Sequence, residues 1–451
     1  MGRAKKLTTV GLLCLLLQAP AAASAAGKDS ECTSDSDCYG GRCLPSGECV
    51  CPPLWASPNC QTLRVKPARA SAPGLMLRDT STWGGTAVQG ADGLYHMFAA
   101  RMVARCGLRS WHNAFNGTQV ANSDIVHATA PTPDGPYTVV ETVLNTFAHG
   151  PQASVLPDGR FAVVHLGCGN HTLPELTGCI NGSTPGIPGV SSAAHHSLQQ
   201  QRPPGLSNCD WPAWTGVLLQ GSTPSSSSWT QLADWAGPGL VVDGGANAWH
   251  INTTNSSAHA DNPSFWPLEN GTVLLAYASK MKSPSTSKHK HIGMAVGELP
   301  LSGGSMTAFR DISSAPIFPY EAEDPTIWLD TTNNLTDMRW HIFAHRLVSD
   351  INPPSSVCAH AVASSPYGPW KVAATGAYNT TIEWASAGGE DSSPTVTQVQ
   401  GRERPHIIFS RAGHPVALST GVTPGPHATP VTPHGYTGDF SYTHVQLFDP
   451  R

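Results

Sequence analysis

Beyond residue 74 the chain runs as short apolar stretches broken by Gly, Pro, Asn and Asp, and no stretch carries a helical period. Four segments share one plan: "HGPQASVLPDGRFAVVHLG", "DNPSFWPLENGTVLLAYAS", "EDPTIWLDTTNNLTDMRWHIFAHR" and "ERPHIIFSRAGHPVALSTG". Each opens on two special residues and a Pro, then an apolar strand, a turn and a second apolar strand. "DTSTWGGTAVQGADGLYHMFAAR" follows the plan without the Pro. A Pro at a strand's beginning removes no donor from the ladder's interior. "HATAPTPDGPY" (His127–Tyr137) also aligns without gaps to "HAVASSPYGPW" (His360–Trp370), as a strand, turn and return strand would. Five such units predict an all-β fold, a five-bladed β-propeller over 74–451, whose radial repetition protects its strand edges. Equivalent strand beginnings then converge around a central channel.

Composition agrees. With 44 Gly and 39 Pro the chain is rich in turns, as short strands require. Charged residues make up 13 %, net charge is −5, and no basic run occurs, which excludes nucleic acid as a partner class.

At the N-terminus, basic "MGRAKK" precedes apolar "LTTVGLLCLLLQ" and small residues with an Ala-x-Ala site at Ala23-Ser24-Ala25. This is the pattern of a secretory signal over 1–25. The apolar run is too short to span a bilayer comfortably, and no later segment is apolar enough, so no membrane span is expected. Asn116, Asn170, Asn181, Asn252, Asn255, Asn270, Asn334 and Asn379 each stand in Asn-x-Ser/Thr, consistent with a secreted, glycosylated surface.

Six cysteines fall within "CTSDSDCYGGRCLPSGECVCPPLWASPNC": Cys32, Cys38, Cys43, Cys49, Cys51 and Cys60. So few residues cannot bury a self-sufficient core and need disulfide staples. The absence of His and of paired C-x-x-C argues against zinc. With its close Cys49-Val50-Cys51 and Trp55 before Cys60, the segment 29–60 resembles an EGF-like module. That resemblance implies pairs Cys32–Cys43, Cys38–Cys49 and Cys51–Cys60. It departs from the family at Leu54 and Ser57, where glycines are usual. "CLPSGEC" lacks the Asn or Asp of the calcium-binding variant, so no calcium is expected there. The module implies a matrix or wall protein as a possible partner. "QTLRVKPARASAP" (61–73) reads as a linker. Cys106, Cys168, Cys179, Cys209 and Cys358 remain, an odd number of unassigned pairing. A long insertion is expected around 168–215.

The strand beginnings "DNPSFW" and "EDPTIW", with the tail "GRERPHIIF" and "PVALSTGV", resemble the five-bladed propeller glycoside hydrolases of the family 43 type over about Ala72 to Phe448. The resemblance implies hydrolysis of glycosidic bonds, with a carbohydrate as partner. Inverting hydrolysis needs one protonated carboxylic acid and one ionised carboxylate, roughly 6.5–9.5 Å apart to admit water. The acid's pKa must be raised by burial or a like charge. By that resemblance Asp79 is the base, counted back from Trp83 as Asp324 is from Trp328. Asp261 is the tuning carboxylate and Glu323 the general acid, with Asp324 its rival. Glu403 and Arg404 form a charge pair that holds the last unit. His149 and His345 can bond a sugar or act as acid, and Asn262 joins the ring. Trp249, Trp266 and Trp328 either stack on sugars or pack.

No cofactor is required, and a structural cation in the channel is compatible with the carboxylates. "KHKHIGMAV" reads as a solvated strand edge rather than a metal site. Gly-x-Ser-x-Gly, His-Glu-x-x-His and phosphate-loop motifs are absent. The alternative to hydrolysis is a ring that binds sugar without catalysis, with the small module tying the protein to a matrix or wall.

Overall fold

The computed structural model describes residues 31–56, 58–103, 107–108, 123–146, 148–167, 169, 179–180, 184–185, 215–220, 230–231, 241–243, 249–250, 257–259, 261–281, 290–298, 309–347, 358–386, 393–424 and 440–450. The expected leader, the sequons Asn116, Asn170, Asn181, Asn252 and Asn255, the side chains of Cys106, Cys168, Cys179 and Cys209, and most of the 168–215 insertion lie outside these residues. Asn270, Asn334 and Asn379 are exposed, as glycan acceptors require.

Five antiparallel blades stand around a channel. Blade 1 is Thr82–Gln89, Tyr95–Met102, Ser123–Ala130 and Thr138–Leu144. Blade 2 is His149–Val155, Phe161–Leu166, Thr215–Gln220 and Thr230–Gln231. Blade 3 is Asp261–Pro267, Thr272–Lys280, Lys290–Glu298 and Phe309–Asp311, extended outward by two short strands. Blade 4 is Ala322–Leu329, Trp340–Arg346, Cys358–Ala363 and Lys371–Val372. Blade 5 is Gly401–Phe409, Pro415–Thr423 and Tyr442–Leu447, completed by the early strand Gly74–Leu75.

Inner strands are packed on both faces by neighbouring blades, so they read as nearly continuous apolar runs. Thr82–Gln89, for example, is buried at all but one position. Alternation survives on the outermost strand of blade 1, Thr138–Leu144, where Thr138, Val140 and Thr142 are exposed and Val139, Glu141 and Val143 half-buried. The gapless repeat also has a structural counterpart. In blade 1 the rings of His96 and His127 meet at 3.0 Å, and in blade 4 those of His341 and His360 meet at 3.0 Å.

Every inner strand carries the same bulge. The ladder jumps from Trp83 to Thr86, His149 to Gln152, Asp261 to Ser264, Glu323 to Thr326 and Glu403 to His406. The second residue of each bulge has positive φ: Gly84, Gly150, Asn262, Asp324 and Arg404. The third is Pro in four blades and Gly85 in blade 1. A bulge leaves residues out of the ladder, which is why Pro is tolerated there. Non-glycine residues held at positive φ cost roughly 1–3 kcal/mol each and persist where surrounding structure over-determines them.

The small module carries disulfides Cys32–Cys43, Cys38–Cys49 and Cys51–Cys60. It does not hang free. Trp55 is buried, stacks on His341 and His360 of blade 4 at 4.8 and 4.9 Å, and donates from Nε1 to Asp330 Oδ2 at 3.0 Å. Nor is 61–73 a loose linker. Leu63, Lys66 and Ala68 donate backbone N–H groups to Ala377, Leu447 and Glu383, and Arg69 clasps Asp134 with two 2.7 Å bonds. The polar look of the segment hid the fact that both its backbone and the Arg69 side chain are tied to the propeller.

Candidate functional site

The inner strands run in the same sense, so their bulges gather at one end of the channel. Two layers of side chains result. In the upper layer, blades 3 to 5 present an arc of alternating charge. Lys290 Nζ lies 2.6 Å from Asp261 Oδ2 and 3.1 Å from Glu323 Oε2. His345 Nδ1 lies 3.7 Å from both Glu323 Oε1 and Glu403 Oε2. Blades 1 and 2 are closed at the same level. Trp83 packs over Gly421, and buried His149 contacts the Ser123 hydroxyl at 2.9 Å through Nδ1.

The lower layer holds the positive-φ residues. The Arg404 side chain crosses Gly84 and Gly150 so closely that a Cβ on either glycine would overlap it. Its Nη2 then donates to Asn262 Oδ1 at 3.2 Å and pairs with Asp324 Oδ1 at 3.3 Å. One arginine thus touches every other blade at this level. Arg404 Nε is buried here without a hydrogen-bond partner, and Asp324 Oδ1 has only its ion pair with Arg404.

Electrostatics separates two adjacent carboxyls. Burial pushes Asp324 up to about 7; Arg404 pulls against this, and the Glu323 charge adds to it. For Glu323 burial also pushes upward, but His345, Lys290 and Arg404 outweigh it and hold it well below the carboxylate range. Burial disfavours the charge on His345, yet Glu403, Glu323 and Asp324 raise it to about 9. Lys290 is kept protonated in the same way, with Asp261 and Glu323 overcoming its burial.

A third layer lies below. Gln152 Oε1 accepts from Phe265 N–H at 2.8 Å, and Ser264 Oγ accepts from Ile327 N–H at 3.1 Å. Thr326 Oγ1 donates to the Pro405 carbonyl and lies 3.0 Å from His406 Nδ1. These are the residues following each Pro. They form a buried polar belt that stitches blade 2 to 3, 3 to 4 and 4 to 5.

Several expectations need correction. Asp79 is exposed and precedes the strand; the bulge register puts Trp83 and Gly84 at the ring positions of blade 1, so counting from tryptophan misaligned that blade. Trp328 is fully buried beside Trp55, His341 and Phe343 and cannot meet a sugar. Trp249 packs with His250 and Tyr277. His149 is buried as well. Arg404 pairs with Asp324 rather than with Glu403, because neighbours across a bulge point to different layers. "KHKHIGMAV" is not a solvated edge: His291 is buried, and Lys290 is the bridge between two ring carboxylates. The sequence signal for Lys290 was a lysine beginning an otherwise apolar strand.

Glu323, Asp324 and His345 offer ligand atoms within 4.8 Å of one another. In the same cluster Lys290 pairs with Glu323 and Arg404 with Asp324. Asp261 and Glu323 lie less than about 6 Å apart with the Lys290 ammonium between them, below the roughly 6.5–9.5 Å that admits a water. Among the described residues, no helix is long and apolar enough to cross a membrane. Three disulfides in one small module point to an oxidising compartment.

No family model and no curated protein sequence matches the chain. Solved structures do. An α-L-arabinofuranosidase from Podospora anserina, in complex with cellotriose, aligns at 10 % identity over 88 % of this chain and 98 % of that one, with TM-score 0.47. A family 117 glycoside hydrolase of the marine bacterium Zobellia galactanivorans aligns at 11 % identity over 88 % and 91 %, with TM-score 0.49. A Dyadobacter fermentans protein of unknown function aligns at 10 % identity over 86 % and 99 %, with TM-score 0.46.

Proposed function

We propose that this is a secreted carbohydrate-active protein that binds a glycan at the charged mouth of the propeller and cleaves a glycosidic bond with Asp324 as proton donor. The observation that carries this is geometric: Asp324 is buried beside Glu323, whose carboxyl is held by Lys290 and His345, so that burial raises Asp324 while these partners keep Glu323 low. Environments that push paired carboxyls apart assign acid and base roles. Asp324 passes its proton to the departing glycosidic oxygen, while a water molecule adds to the anomeric carbon and gives up its proton to the Glu323 carboxylate. The arc of Glu323, Asp261 and Glu403 faces the positive charge that develops on the sugar ring. Lys290, His345 and Arg404 hold the carboxylates in place and keep donors for hydroxyl groups. The disulfide module, EGF-like in its cysteine spacing, keeps its outward face for a matrix or wall protein.

A non-catalytic reading is favoured by one observation: the bulge positions of blade 1 hold Trp83 and Gly84, where those of blades 3 to 5 each include a carboxylate. Both readings are tested on the secreted protein with a panel of aryl glycosides and plant or algal polysaccharides, measuring turnover and binding together. Asp324→Asn is expected to lower turnover by about 10²–10⁴ while binding persists. Turnover that survives this change removes Asp324 as the acid. Binding without turnover in the unmodified protein, lost in Glu323→Gln, establishes the non-catalytic reading.

A further inference from the structure

The opposite end of the channel holds a second, chemically different cavity of about 450 Å³. All five blades line it with the far ends of their inner strands and the turns that follow. Its inner end is lined by Thr86 and by Gln152 and Thr326 of the polar belt, two residues beyond Gly84, Gly150 and Asp324, roughly 7 Å at the usual strand rise. Arg404 stands between the cavity and the charged arc.

Its walls are apolar and aromatic: Val88, Val155, Phe161, Trp266 and Phe409. Val155 is 44 % exposed within this concavity. Trp266 and Phe409 meet edge to face at 5.3 Å and are both only half-buried, so each keeps ring surface open. A volume of this size belongs to the range of small-molecule pockets, roughly 300–1,000 Å³. Water would fill it at about 30 Å³ per molecule against walls that offer few hydrogen bonds, an unfavourable arrangement.

Charge narrows the occupant. Arg411 is the one charged residue among those lining the cavity. Its backbone N–H donates to Gln89 Oε1 at 2.9 Å, and its Nη1 contacts the Ala91 carbonyl at 3.5 Å, which holds the guanidinium at the rim. A guanidinium there keeps further N–H donors in a fork suited to a carboxylate or sulfonate. We propose that this cavity is a second binding site, taking a small amphiphilic anion whose aromatic body lies against Trp266 and Phe409 and whose acidic group meets Arg411. It is independent of glycan chemistry at the mouth.

The test is fluorescence titration of the full secreted protein with 8-anilinonaphthalene-1-sulfonate, an aromatic sulfonate. One saturable site is expected. Val155→Asp puts a carboxylate in the apolar wall at an exposed position and should weaken binding at least tenfold. Arg411→Gln should weaken it about five- to tenfold while leaving binding of uncharged N-phenyl-1-naphthylamine unchanged. Circular dichroism of both variants checks that the sheets persist. Absence of a saturable site, or equal affinity in all three proteins, overturns the proposal. Equal losses for the charged and uncharged probes in Arg411→Gln overturn the role of the anion.

Discussion

Arg404 occupies the space that a side chain on Gly150 would need. Gly150 also holds φ at 53°, a left-handed conformation that costs other residues roughly 1–2 kcal/mol. Gly150→Ala therefore combines backbone strain with a clash against a buried ion-paired guanidinium. We expect a loss above about 2 kcal/mol in urea unfolding. Gly159→Ala, at φ 83° with nothing within 4 Å, is expected to lose only about 1 kcal/mol. Equal losses at the two glycines would show that Arg404 yields freely.

Asp324 should leave a mark on the pH dependence of stability. Its folded pKa of about 7 stands above an unfolded value near ~3.9, so the native state holds this proton more tightly. Stability from this group falls as pH rises from about 4 to about 7. Glu323 has the opposite sign: depressed in the fold, it stabilises above its unfolded value and loses that contribution as pH drops. His345, raised to about 9, stabilises below about 6.5 and loses its contribution as pH rises through 9. Comparing unfolding midpoints of the unmodified protein and Asp324→Asn between pH 4 and 8 isolates the first effect. The variant should gain relative stability with rising pH. A constant difference would mean that Asp324 ionises normally.

The polar belt predicts a stability cost without a surface change. Ser264→Ala leaves the Ile327 N–H buried and unpaired and should cost about 1–3 kcal/mol, although only one oxygen is lost. Amide hydrogen exchange offers the check, since Ile327 should lose protection more than its ladder neighbours. Undiminished protection would mean another acceptor serves that donor.

Trp55 ties two folding units together. Trp55→Ala removes a buried indole and strips Asp330 of a donor, an expected loss of about 3–5 kcal/mol in thermal unfolding. Trp55→Phe keeps most of the packing and should lose about 1–3 kcal/mol, for the unmade bond to a charged acceptor. Proteolysis should then release the small module from Trp55→Ala first. If both variants unfold as the unmodified protein does, the contact is incidental.

The propeller was legible because its repeat is written in Pro and in paired apolar runs, and both are local signals. The disulfide pairs are those that the resemblance to an EGF-like module implied. Three features of the ring escaped. Asp79 was placed by a tryptophan count, but what is equivalent among blades is the bulge, and Trp83 sits inside it where Trp328 sits beyond it. Lys290 begins a third strand, so nothing near the ring motifs announced that it would reach back to Asp261 and Glu323. Glu403 and Arg404 are neighbours in sequence and looked like a pair. The positive φ of Arg404 turns its side chain to the axis and leaves Glu403 with His345. In each case the deciding fact was where adjacent side chains point, which depends on one bulged peptide rather than on residue type.

The pairing of Gly74–Leu75 with Tyr442–Leu447 has a consequence in time. Blade 5 takes its outermost strand from near the beginning of the chain and the rest from its end. At about 5–20 residues per second of synthesis, the early strand waits on the order of tens of seconds for its partner. During that interval the nascent protein is an open arc, with raw edges on blades 1 and 4 facing a gap where the last blade will stand. Until then the circle is incomplete, and the last strand of the chain is the one that closes it onto the early strand.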